Sequence, residues 1–401
     1  MTERNTISRT TRLAKRLLPL CLLSLLLAVA CRTDDQIIYS EEQDTGVKSR
    51  LSEIVGMYLL NEGNMGSNKS TLDYLDLSGR DSTIRYWRNI YSERNPSAVK
   101  ELGDVGNDCK IYGSRLWLVI NCSNKVEVAT ADSCRKIGKI DIPNCRYLAF
   151  HEGYAYVSSY VGPVAVSGDA PLGRVYKVDT LTLQKVDSVV VGYQPDELCV
   201  VGSKLYVANS GGYRVPDYDR TVSVIDLNTF REERKIDVAI NLHRCRADRY
   251  GQLWVTSRGD YFDYSPNIYY LSADDNGQMQ LRDSLGIVVN DLCIVGDSLY
   301  FYGAEFNYLS MDNQVIYGII NVRTHQLVNR QLISDTDAAR LEMPYGIMVN
   351  PIDRDFYLMD AKNYVSSGRL LHFLPDGTFD YNVWTGDIPA HAAFLFRQSE
   401  K

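Results

Sequence analysis

Short apolar runs centred on a single Tyr or Trp punctuate the chain. They are Met57-Tyr58-Leu59, Leu116-Trp117-Leu118, Ala155-Tyr156-Val157, Leu205-Tyr206-Val207, Leu253-Trp254-Val255, Leu299-Tyr300-Phe301 and Phe356-Tyr357-Leu358. The central aromatics lie 59, 39, 50, 48, 46 and 57 residues apart. The unit around Tyr206 shows what each repeat holds. Pro195 to Val201 reads as one strand, Gly202-Ser203 as a turn and Lys204 to Asn209 as a second strand. After a loop, Thr221 to Asp226 alternates as a half-buried strand does. Leu227-Asn228-Thr229 makes the next turn, and Arg231 to Val238 completes four strands. Four strands recurring about every 50 residues predict a β-propeller.

The ends of the pattern complete it. The first unit has strands near Gly56–Asn61, Thr71–Leu77 and Ser82–Tyr91 but no innermost strand, and the C-terminus carries a spare one, Ala390 to Phe396. A propeller joins its chain ends inside one blade, so the deficit and the excess cancel. An open solenoid would need polar caps, and neither end looks like one. The fold expected is all-β: one seven-bladed β-propeller over residues 51–398, its ring closed by the C-terminal strand pairing into the first blade. The polar insert Ser334 to Arg340 has room for one helical turn.

Residues 1–30 stand apart. Arg4, Arg9, Arg12, Lys15 and Arg16 precede an apolar stretch, Leu17 to Ala30. At ~1.5 Å per residue that stretch spans about 21 Å, short of a ~30 Å hydrocarbon core. It fits a signal peptide better than a transmembrane anchor. Ala28-Val29-Ala30 runs into Cys31 and resembles a bacterial lipobox, with Ala28 where Leu is usual. That resemblance implies lipidation at Cys31. Asp34-Asp35 then resembles the surface-export signal of Bacteroidota lipoproteins. Residues 31–50 read as a polar, lipidated tether, and the location expected is the outer membrane, exposed at the cell surface.

Composition narrows the partners. Hydrophobic residues make up 45% and charged residues 23%, ordinary values for a folded protein. Tyr is the outlier at 28 residues and suits strands and ligand surfaces. The net charge of −7 falls to −11, 38 basic against 49 acidic residues, once residues 1–30 are removed. An acidic chain excludes nucleic acid as the expected partner and leaves acyl chains as the link to the membrane.

Chemical motifs are sparse. No nucleophile elbow, zinc-protease motif or phosphate loop is present. Seven cysteines follow Cys31, none in Cys-x-x-Cys spacing. Cys109, Cys145, Cys199, Cys245 and Cys293 fall on expected innermost strands, where a small apolar side chain packs well. Cys122 and Cys134 flank one strand and are the candidate disulfide. His243 and His391 should face the central pit, without a third ligand fixed by spacing, so neither metal nor cofactor is expected.

The loops carry more. Those following each second strand hold Tyr160, Tyr213, Tyr218, Tyr261, Phe262, Tyr264, Phe306, Tyr308 and Tyr364. Flat rings with few rotamers suit ligand capture; the alternative is that they pack on one another and stiffen the loops. Polar groups beside them are Arg146, Asp196, His243, Arg244, Arg258, Asn290, Tyr345 and His391, with Asp108 and Asp291 in the pit.

Leu205-Tyr206-Val207-Ala208-Asn209 resembles the YVTN-type propeller repeat. Leu60 to Ser67, Met343 to Val349 and Thr385 to Phe394 are similar to segments of Bacteroidota surface lipoproteins with such propellers. The resemblance spans residues 56–396. It implies a capture lipoprotein that hands its ligand to a TonB-dependent outer-membrane transporter, with a corrinoid such as cobalamin as first candidate, because that family includes cobalamin-capturing members. Two other classes remain. One is a protein-interaction scaffold without a small ligand. The other is a propeller enzyme of the lactonase or quinoprotein type using Asp108, Asp196, Asp291 and His243.

Overall fold

The computed structural model describes residues 40–50, 52–79, 83–98, 101–260, 262–307 and 312–397, without the side chains of 305–307 and 312–314. Residues 1–30, Cys31, Asp34, Asp35, Tyr261 and Tyr308 lie outside the described residues.

Seven antiparallel sheets follow one another around a ring. The blade around Tyr206 runs outward as Pro195–Val201, Lys204–Asn209, Thr221–Asp226 and Arg231–Asp237. Its two middle strands are buried along most of their length, because each sheet is sandwiched between its neighbours. The outermost strand alternates between exposed residues and residues that are part-buried or, at Ile236, buried. All seven central aromatics sit buried on second strands.

Two turns recur, each with a sequence cause. Between the first and second strands of the third blade, His151 pairs with Tyr154. The intervening Glu152 and Gly153 have φ of 46° and 81°, the left-handed pair that a two-residue hairpin requires. Between third and fourth strands, an Asp or Asn side chain bonds a Thr three residues on. Asp179 accepts Thr182 N at 2.7 Å, Asp226 accepts Thr229 N at 2.8 Å and Asn321 accepts Thr324 N at 2.9 Å. The next residue, Leu183, Phe230 or His325, turns back with positive φ. His325 is thus a turn residue, stacked on Tyr270 at 3.9 Å.

The ring closes as the sequence predicts. Pro389–Phe396 is the innermost strand of the first blade and pairs with Ile54–Asn61, Leu60 opposite His391 and Met57 opposite Phe394. The insert forms a short helix, Asp335–Ala338, capped by Ser334, whose side chain accepts Asp337 N.

Three expectations change. Glu42–Asp44, within the expected tether, is a fifth, outermost strand paired with Arg85–Trp87. Arg85 meets Glu42 at 3.0 Å, and Gln43 exchanges two hydrogen bonds with the Trp384 backbone of the seventh blade. The strand expected at Ser82–Tyr91 shortens to Arg85–Trp87, and Ile90–Arg94 is helical. Cys122 and Cys134 are both free, at opposite ends of the second blade's third strand, Lys125–Thr130. Six extended residues hold them roughly 20 Å apart, too far to bond.

Candidate functional site

A cavity of about 940 Å³ opens on the face bearing the loops after each second strand. Its floor comes from the innermost strands. Tyr147, on the third blade, accepts a hydrogen bond from Arg244 Nη1 at 3.2 Å and lies 3.1 Å from His243 Nε2. Burial pushes its phenol up to about 12. Burial, then the guanidinium groups of Arg258, Arg244, Arg146 and Arg246, hold His243 well below the ordinary imidazole value, so it stands neutral.

Beneath the floor lies Asp196, fully buried. It accepts Tyr160 Oη at 2.7 Å, Arg258 Nη1 at 2.8 Å and Arg146 Nε at 3.3 Å. Burial works against the charge of Arg146, but Tyr160 and Asp196 hold its pKa above the usual guanidinium value. One carboxylate thus balances two guanidinium groups that line the cavity. Glu62 lines it too. It accepts Tyr345 Oη at 3.0 Å and lies 3.3 Å from His391 Nε2.

The rim is held by its own backbone. Asp260 accepts Phe262 N and Tyr264 N, each at 2.9 Å, and so presents both rings. Gly259 makes this possible: its φ is +64°, and a Cβ there would meet Tyr264 O at 1.9 Å. Tyr213 N donates to Gln194 Oε1 at 2.7 Å, and Tyr213 O accepts Ser167 N at 3.0 Å, tying two loops together. Asn64 Nδ2 donates to Tyr364 O across the ring closure.

Of the residues expected here, Arg146, Tyr213, His243, Arg244, Arg258, Phe262, Tyr264, Asn290, Tyr345 and Tyr364 line the cavity. Others do not. Tyr160 is buried as a ligand of Asp196, and Asp196 itself is the counter-ion below the floor. Tyr218 is off the lining, on a loop whose Arg214 packs instead over Tyr193 at 3.7 Å. His391 lines a second cavity of about 810 Å³ at the other end of the channel. Phe306 belongs to a long strand, Ser298–Asn307, rather than a loop, with its backbone paired to Asn313. Tyr147, Tyr302 and Glu62 were missed; Glu62 stands in a rim loop where the aromatic pattern drew attention to other residues.

Some rim aromatics pack on one another and others stand exposed. Tyr345 and Tyr364 meet edge to face at 5.7 Å, as do Tyr160 and Tyr213 at 6.4 Å. Phe262 is 90% exposed and Tyr264 62%. The pit carboxylates suggested for catalysis are engaged. Asp108 pairs with Lys110 at 3.3 Å, and Asp291 with Arg244 at 2.9 Å and Arg246 at 3.1 Å. No cluster of three metal-ligating side chains occurs among the described residues.

No family model and no curated protein matches the chain. Solved structures do. A chain of Kuenenia stuttgartiensis hydrazine synthase aligns with a TM-score of 0.57 at 14% identity, covering 72% of this chain and 89% of that one. The periplasmic gluconolactonase PpgL of Pseudomonas aeruginosa aligns at 0.54 and 13%, covering 85% and 99%. Apo AztD from Citrobacter koseri aligns at 0.50 and 7%, covering 87% and 100%. The shared feature is the fold. This chain is a seven-bladed β-propeller. At these identities the likeness carries architecture and leaves chemistry to the site itself.

Proposed function

We propose that the protein is a surface lipoprotein that captures a large, partly apolar small molecule and delivers it to a TonB-dependent outer-membrane transporter, a corrinoid being the first candidate. The observation that carries this reading is the cavity of about 940 Å³ with exposed aromatics at its mouth and three arginines, Arg146, Arg244 and Arg258, in its lining. Such a volume is at the top of the range for small-molecule sites. The rim is preorganised by Asp260, Gln194 and Asn64, which lowers the entropy lost on binding. A corrinoid presents a broad apolar surface edged with amides, together with a phosphate. Tyr213, Phe262 and Tyr264 suit the first, and Arg146 and Arg258 the second. The segments that resemble Bacteroidota YVTN-type lipoproteins support the capture role and are unspecific for the ligand.

Calorimetric titration of the purified protein with cyanocobalamin tests the ligand. Saturable binding without turnover is expected, and Tyr264→Ala should weaken it by about 2 kcal/mol, roughly thirtyfold. No heat and no co-migration at tens of micromolar removes the corrinoid. Binding that survives loss of Tyr213, Phe262 and Tyr264 together removes the rim. Anchoring is tested separately: Cys31→Ala should release the protein from membranes, and a variant that still labels with fatty acid and pellets with the outer membrane overturns the lipid link.

A further inference from the structure

At the end of the channel away from the aromatic rim, two thiols meet across a blade boundary. Cys199 lies on the innermost strand of the fourth blade, Pro195–Val201, and Cys245 on that of the fifth, Leu242–Ala247. These strands belong to different sheets, so no ladder of hydrogen bonds joins them. Their Sγ atoms nevertheless lie 3.6 Å apart, about 1.6 Å beyond bonding distance.

Groups other than the thiols hold this placement. Glu197, two residues before Cys199, accepts Cys245 N at 3.0 Å and Arg246 Nε at 3.0 Å. A buried carboxylate thereby fixes the register of one strand against the other. Access exists as well. Both cysteines line the second cavity of about 810 Å³, Cys199 half-buried and Cys245 fully buried.

We propose that Cys199 and Cys245 are a redox-active dithiol that closes to a disulfide between the fourth and fifth blades when a small disulfide oxidant enters this cavity. The Cys199 thiolate, the more exposed of the two, attacks one sulfur of the oxidant. A mixed disulfide forms, and the other half of the oxidant leaves as a thiolate. The Cys245 thiol loses its proton and attacks Cys199 Sγ, expelling the second half. In total the dithiol gives up two electrons and two protons, and the oxidant becomes two thiols. The hydrogen bond to Cys199, then burial, push the Cys245 thiol well above its ordinary value. It is therefore slow until the mixed disulfide stands beside it. The bond would lock together the strand that carries Asp196 and the strand that carries His243 and Arg244, which line the opposite cavity.

The test is to treat the full chain with bis(hydroxyethyl) disulfide or with dithiothreitol, then denature, alkylate and map by mass. A loss of two mass units joining the Cys199 and Cys245 peptides is expected, with a melting temperature on the order of 5 °C above the reduced form. Cys245→Ser should stop at the mixed disulfide of Cys199 with one hydroxyethylthio half of the oxidant. Where that variant does not fold, the wild-type map still decides. Full alkylation of both cysteines after oxidation overturns the proposal. So does an adduct that stays on wild-type Cys199, or a bond from Cys245 to Cys293.

Discussion

Tyr147 shows how a residue can hold a site together while looking ordinary in sequence. In Cys145-Arg146-Tyr147-Leu148 it reads as strand core, and only the ring closure reveals its ring edge-on to both His243 and His391, at 6.2 Å and 6.3 Å. Asp196 is the reverse case, read as a contact and found to be the buried charge that positions Arg146 and Arg258. His243 yields a pH prediction. Burial, then Arg258, Arg244, Arg146 and Arg246, depress its folded pKa, and Tyr147 is its hydrogen-bond partner. The unfolded chain takes up a proton near pH 6.5 that the folded chain refuses. Stability attached to this group is therefore complete above that pH and is lost as pH falls. His243→Gln removes the titration. Urea unfolding at pH 7.5 and 5.5 should show the wild type losing more stability than the variant, on the order of 1 kcal/mol; equal losses would exclude this role.

Elements were legible where local chemistry determines them. The alternating runs give the strands, Leu227-Asn228-Thr229 gives a turn, and the polar insert that opens at Ser334 gives the short helix. Legibility failed where distant chain decides. Glu42–Asp44 is three polar residues with no apolar alternation. It becomes a strand because Arg85–Trp87 offers an open edge and Arg85 and Arg88 offer charge to Glu42 and Glu41. Phe306 looked like loop because its strand, Ser298–Asn307, continues past the usual length, paired with Asp312–Asn321. The site was readable as a set of loops converging on one face. Which aromatics stay exposed was not, since burial of Tyr160 depends on Asp196 from the next blade.

At the scale of the whole molecule, the ring depends on one join between distant parts of the chain. Each apolar layer lies between two blades, so a missing strand damages both of its neighbours. Phe394 packs in the cluster shared with the seventh blade, with Tyr357 and Met359. Ala393 packs in the cluster shared with the second blade, with Leu116 and Leu118. Removing the strand Pro389–Phe396 also leaves Ile54–Asn61 with an open edge, a template for aggregation. Burying Phe394 and Leu395 stabilises the fold by roughly 1.5–3 kcal/mol each, and each lost ladder bond costs about 0.5–1.5 kcal/mol. The total is on the order of 10 kcal/mol, as large as the whole stability of a typical domain. The Gln43 bonds to Trp384 still link the first blade to the seventh, but at an exposed outer edge where they cannot restore the inner layer. Deleting residues 388–401 should therefore abolish the single cooperative urea transition, followed by far-ultraviolet dichroism and Trp fluorescence together. A truncated chain that unfolds in one coincident transition at the wild-type midpoint would mean that the ring does not need its last strand.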